Sequence, residues 1–162
     1  MRTITTPQAA HILGMTFRTL DNWVRTGLVT SSQVAHGRGT RRAWTVDDVA
    51  RVAFLQTLRQ NGVSTHRLNV MKKPFHHLLD HLLEQETAGD ERALADFVFV
   101  FEDRIFQITI RPKRRAIEQA FAALAAGLLP QPLTYDDAPS GIDYQVTRDG
   151  SQQARPRMDK EE

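Results

Sequence analysis

Apolar positions recur at helical spacing through the first seventy residues and give way to strand-like alternation near residue 100. Thr6-Pro7 predicts a helix start, with an N-cap hydroxyl set before a proline whose missing N–H is no loss in a first turn. Ala9, Ala10, Ile12 and Leu13 supply the apolar face, and Gly14 ends the helix. Thr16 opens a second helix after a very short turn, with Phe17, Leu20, Trp23 and Val24 in period until Gly27. Arg18, Thr19, Asn22 and Arg25 then face outward. Two short helices joined so tightly form a helix-turn-helix pattern.

Between Leu28 and Trp44 the helical period vanishes. The run His36-Gly37-Arg38-Gly39-Thr40-Arg41-Arg42 is basic and glycine-rich, with residues 32–35 and 43–44 flanking it as the two strands of a wing. Thr45 caps a third helix that carries Asp47 and Asp48 in its electropositive first turn and stops at Asn61-Gly62. Ser64 opens a fourth helix that runs to about Lys73. Pro74 begins another over residues 75–86, where Leu78, Leu79, Leu82 and Leu83 make a broad apolar face.

After a polar break at residues 87–91, two β-branched and aromatic runs over 97–101 and 105–110 predict a hairpin. Phe97, Phe99 and Phe101 share one face of the first strand, and Phe106, Ile108 and Ile110 one face of the second. Ile117, Ala120, Phe121 and Leu124 return to helical spacing, and this helix is expected to cover the hairpin aromatics. From Pro130 onward proline, glycine, serine and charge replace any period. The expected fold is therefore mainly α with small β. It comprises a winged helix-turn-helix over residues 1–73, a helix plus ββα unit over 74–129, and a largely disordered tail over 130–162.

Charge sharpens this division. The net charge of the chain is +2, yet residues 1–73 hold eleven Lys and Arg against the three acids Asp21, Asp47 and Asp48, a net +8. Residues 74–162 carry −6. A basic first half is the part suited to a polyanion. The chain has no cysteine, which excludes disulfides, thiolate metal sites and cysteine nucleophiles. No apolar run approaches membrane-spanning length, and residues 1–8 lack the apolar stretch of a secretory signal. A cytoplasmic protein with no membrane partner is the expectation.

Four features then fall in one order over residues 4–64. They are Thr16-x-x-Thr19-Leu20, Trp23-x-x-x-Gly27-Leu28-Val29, the basic wing ending Arg41-Arg42-x-Trp44, and Asp48-Val49 followed by Leu58-Arg59-x-x-Gly62-Val63-Ser64. Taken together they resemble the MerR family of bacterial transcription regulators. The resemblance implies a second helix in the major groove of double-stranded DNA and a wing on the flanking backbone or minor groove. It also implies a homodimer on a pseudo-palindromic site and contact with RNA polymerase at a promoter. The DNA-contacting set is then Thr16, Arg18, Thr19, Asn22 and Arg25 on the helix, with His36, Arg38, Thr40, Arg41 and Arg42 in the wing. Arg18, Thr19 and Asn22 suit base edges, since arginine matches guanine and asparagine matches adenine. Arg25 and the wing arginines suit phosphate. Asp21 stands where the family usually has a basic residue; an acid there either accepts from a cytosine amino group or faces away from phosphate. Relatives also follow the fourth helix with a long dimerisation helix, whereas residues 75–86 span only about three turns.

Other residues fit blander roles. Trp23 and Trp44 are expected in the core. His77, His81 and Glu84 share a helical face at ligand spacing, but solvated helices often carry such pairs, and neither a metal nor another cofactor is expected. Phe97, Phe99, Phe101, Phe106 and Phe121 suit a small core better than a ligand pocket. Lys113, Arg114 and Arg115 oppose the dipole at a helix start, which calls for a nearby acid or phosphate, or only an exposed turn. No phosphate loop, nucleophile elbow or acidic pair marks an enzyme. Two other readings share these features: an excisionase-like architectural factor that bends DNA in recombination, and a protein-interaction adaptor whose helix-turn-helix does not bind DNA.

Overall fold

A computed structural model describes residues 2–32, 41–60, 62–70, 72–73, 76–77, 80, 84, 95–101, 104–110, 113–135, 142–146 and 152–155. The chain begins with a short strand, β1 (Ile4–Thr5), which runs directly into helix α1 (Thr6–Leu13). The cap lies one residue earlier than the Thr6-Pro7 signal suggests. Thr5 is the N-cap, and its hydroxyl accepts from the Gln8 N–H while the Gln8 side chain accepts from the Thr5 N–H at 2.9 Å. This reciprocal box satisfies two otherwise orphaned donors. Thr6 is instead buried, and its hydroxyl accepts the indole N–H of Trp44 at 3.0 Å. Gly14 ends α1 at φ 65, a left-handed conformation that favours glycine.

Helix α2 (Phe17–Arg25) follows at once, and Gly27 at φ 73 closes the turn after it. Strand β2 (Ala43–Trp44) pairs antiparallel with β1, Ile4 opposite Trp44 and Thr5 opposite Ala43. Residues 43–44 thus pair with the N-terminal strand; of their expected wing partners over 32–35, residues 33–35 lie outside the described residues. Residues 33–40, which hold most of the expected wing, lie outside the described residues.

Helix α3 (Val46–Gln60) is capped by Thr45, whose hydroxyl accepts the Asp48 N–H at 3.2 Å while the Asp48 carboxylate accepts the Thr45 N–H at 2.9 Å. The same buried carboxylate accepts the Ser32 N–H and hydroxyl at 2.9 and 2.6 Å. Asp48 therefore starts α3 and ties it to the chain at Ser32. Gly62 at φ 93 ends that segment, and Ser64 caps α4 (Thr65–Val70) through the Arg67 N–H. Residues 72, 73, 76, 77, 80 and 84 are helical.

Four strands form an antiparallel meander in sequence order: β3 (Ala95–Phe101), β4 (Arg104–Ile110), β5 (Ile142–Val146) and β6 (Gln152–Arg155). The register sets Phe97 opposite Ile108 and Phe99 opposite Phe106. The last two strands fall within residues 130–162, the stretch expected to be largely disordered. Ile142, Tyr144 and Val146 alternate with Asp143 and Gln145, a strand period hidden by the surrounding charge and glycine.

Helix α5 (Arg114–Ala125) departs from its expected place. It was expected to cover the hairpin aromatics. Ile117, Ala120 and Phe121 instead belong to the same buried cluster as Leu13, Leu20, Trp23, Val49, Val52 and Leu58. Its basic start finds an acid, since Arg114 pairs with Asp47 in the first turn of α3 and with Glu118 at 3.4 Å. The chain then turns at Gly127 and lies along α1. His11 Nε2 donates to the Pro130 carbonyl at 2.7 Å, the Leu133 N–H to the Ile12 carbonyl at 2.8 Å, and the Tyr135 hydroxyl to the Leu13 carbonyl at 2.7 Å. Two carbonyls at the C-terminal end of α1, which the helix itself leaves free, are thereby satisfied.

Burial pushes the Tyr135 phenol above its ordinary value. An acidic group whose folded pKa is raised keeps its stabilising contribution below the unfolded value and loses it as pH climbs past that point. Thermal melts should therefore show the wild type more stable than Tyr135→Phe by about 1 kcal/mol at neutral pH. The difference should shrink above about pH 10.

Candidate nucleic-acid interface

Helix α2 owes its orientation to two side chains. Leu20 and Trp23 are fully buried, and their burial turns the opposite face to solvent. On that face Arg18, Asn22 and Arg25 stand at i, i+4 and i+7, all exposed and in one line along the helix. Thr16 caps the helix by accepting the Thr19 N–H at 3.1 Å, and the two threonine hydroxyls share a hydrogen bond of 2.8 Å. Thr16 and Thr19 thus hold the helix start in place beside Arg18. Trp23, buried on the inner face, lies under the Arg59 guanidinium, 5.9 Å from its ring centroid.

Asp21 forms two ion pairs within the protein. Its carboxylate is only 18% exposed and accepts from Arg25 Nε and Arg42 Nη1, each at 2.8 Å. Arg25 leaves this pair with a side chain 74% exposed, whereas Arg42 is held down at 28%. The acid thereby joins α2 to the segment before β2 and takes up part of the charge of two arginines. Arg41, next to Arg42, is exposed. His36, Arg38 and Thr40 lie outside the described residues, so the structure assembles Thr16, Arg18, Thr19, Asn22, Arg25, Arg41 and Arg42.

Three residues of this region stand in places that the sequence pattern does not show. Phe17 is 52% exposed, although its spacing marked it for the core. Arg59 reaches back from α3, and Asp48 ties α3 to Ser32; the Thr45-x-x-Asp48 spacing of a capping box was the available signal for the latter. Among the described residues no group of three His, Asp or Glu side chains could hold a metal ion; His81 lies outside them. No helix among them is long and apolar enough to cross a membrane.

A capped pair of short helices, a basic outward stripe on the second, and a basic loop tied to it define a type. Residues 4–71 match the family model of the MerR HTH family regulatory protein. The match takes in β1 through α4 and every candidate residue named above. The chain also has curated relatives described as uncharacterized HTH-type transcriptional regulators. One is from Mycobacterium bovis and two are from Mycobacterium tuberculosis strains, CDC 1551 and H37Rv. Each is 34% identical over 80 residues, covering 49% of this chain and 32% of the relative. The chain thus spans about a third of the length of the curated relatives it matches.

Proposed function

We propose that the chain is a sequence-specific double-stranded DNA-binding transcription regulator that sets α2 in the major groove and its wing against the flanking backbone. The observation that carries this reading is the exposed line of Arg18, Asn22 and Arg25 on the second helix of a MerR-type segment. Arginine can donate two hydrogen bonds to guanine and asparagine can pair with adenine, so the first two suit base edges and the third suits phosphate. The net +8 of residues 1–73 supports a polyanionic partner. Residues 74–129 serve self-association in this reading, so that two copies of α2 meet two half-sites.

Enrichment of duplexes from a random pool, followed by footprinting on the surrounding genomic DNA, tests the proposal. Protection at a promoter supports regulation of transcription, and protection at a recombination site would instead favour the architectural reading. Absence of any enriched duplex would leave the adaptor. On the enriched duplex, Arg18→Ala and Asn22→Ala should each cost about 1–3 kcal/mol, with much less lost on random DNA. If the ratio of specific to random binding stays constant in both variants, base readout does not lie on α2.

A further inference from the structure

We infer that Phe17 is a specificity-determining residue that reads a thymine methyl group in the major groove; the inference rests on the DNA-binding reading above. Four large apolar side chains are well exposed among the described residues, namely Phe17, Val70, Leu128 and Leu129. Phe17 is the one on the helix that carries Arg18, Asn22 and Arg25. The other aromatic side chains of α2 and α3, Trp23 and Phe54, are 1% and 6% exposed. Burial of the core therefore has room for aromatic residues, and Phe17 stays outside it at 52%.

Its place on the helix is the second observation. Thr16 caps α2, so Phe17 is the first helical residue. In helix-turn-helix proteins the N-terminal residues of the second helix reach base edges. At about 100° per residue, Phe17 projects about a quarter turn from the line of Arg18 and Arg25. It sits one turn before Asp21, on the flank that Arg42 joins to the segment before β2. About half of the side chain is open there, and in this inference its open edge faces the floor of the groove.

The chemistry of the groove narrows the target. Guanine, adenine and cytosine present donors and acceptors at their major-groove edges, and a phenyl ring offers none of these a partner. The thymine C5-methyl is the apolar group on that surface. Contact with it removes both the methyl and the exposed ring from water, whereas contact with a polar edge would desolvate that edge without compensation. The ring thus distinguishes thymine from cytosine at one position, while the neighbouring Arg18 and Asn22 read by hydrogen bonding.

Deoxyuridine lacks only this methyl and keeps every hydrogen-bonding group of thymine, which makes it the probe. The best duplex enriched from a random pool by the full chain is resynthesised with each thymine of a half-site replaced singly by deoxyuridine. Wild-type binding should weaken about fourfold at one position, the effect of one methyl group left in water. Phe17→Ala, at an exposed site, should keep the wild-type melting temperature. It should bind the thymine duplex at least about fourfold more weakly and show no further loss with deoxyuridine at that position. Phe17→Leu should keep part of the discrimination. Uniform binding of all the deoxyuridine duplexes by the wild type overturns the inference, and so does an undiminished deoxyuridine effect in Phe17→Ala. In either case a duplex has been enriched and the DNA-binding reading stands. A pool from which nothing enriches overturns both.

Discussion

Phe121→Ala is expected to destabilise the helix-turn-helix core by about 3–5 kcal/mol, although the residue lies some fifty positions beyond α4. Phe121 is 4% exposed and shares its cluster with Leu13, Val49 and Val52. Truncating it leaves a cavity that rigid helices on either side fill poorly. The chain's two tryptophans, Trp23 and Trp44, are 1% and 0% exposed in the same cluster. Urea denaturation followed by tryptophan fluorescence therefore reads this core directly. Small domains are commonly stable by only about 5–15 kcal/mol, so the loss should move the midpoint far toward zero denaturant. Ile117→Ala should act in the same direction, by about 2–5 kcal/mol. A chain ending at residue 73 lacks all of α5 and exposes the face of α3 that α5 covers. It should melt at lower temperature than the full chain and bind DNA more weakly in proportion to its unfolded fraction. A fluorescence midpoint unchanged by Phe121→Ala would mean that α5 rests on this core without stabilising it.

The helix-turn-helix was legible because each of its helices carries both punctuation and period. Thr16 at one end and Gly27 at the other enclose Leu20 and Trp23 at helical spacing, and no tertiary information is needed to join them. The one-residue displacement of the first cap has a local cause. Thr5 and Thr6 can each cap, and Gln8 decides between them because a capping box needs its partner three residues on. The destination of α5 was not legible. An amphipathic pattern at Ile117, Ala120 and Phe121 states that one face is buried but carries nothing about the surface that buries it. Proximity in sequence favoured the hairpin; the structure favours α3, with Arg114 and Asp47 joined beside the contact. At the candidate site, the spacing of Arg18, Asn22 and Arg25 was sufficient to place them on one line. Phe17 was assigned to the apolar set because composition does not separate the inner face from its flank. Asp21 and Arg25 stand at the helix-pair spacing, so that ion pair was readable. The second pair, to Arg42, spans twenty-one residues, and it exists only because the segment before β2 folds back on α2.

That second pair leads to the expectation that Asp21→Asn tightens binding to random DNA. With the carboxylate gone, Arg25 and Arg42 each lose an anionic partner at 2.8 Å. Both guanidiniums then become available to phosphate, and the anion that would repel the backbone disappears. Each added phosphate contact releases condensed counterions and steepens the fall of affinity with salt by about 0.9. Two contacts should steepen the slope by nearly two units and strengthen binding to random duplexes on the order of tenfold or more at low salt. Binding to the enriched duplex should gain less, because the geometry that Asp21 imposes between α2 and the wing is lost together with the charge. The ratio of specific to random affinity should therefore fall. Arg42→Ala separates the two effects. In the wild type Arg42 is held by Asp21 rather than by phosphate, so its loss alone should leave the salt slope on random DNA nearly unchanged. In the Asp21→Asn/Arg42→Ala double variant, the gain in random binding should be roughly halved relative to Asp21→Asn alone. Titrations of a fluorescent random duplex from about 50 to 200 mM salt span the range where such slopes separate clearly. Equal slopes in wild type and Asp21→Asn would mean that Arg25 and Arg42 reach phosphate while still paired, and that the carboxylate orients them without withholding them from the DNA.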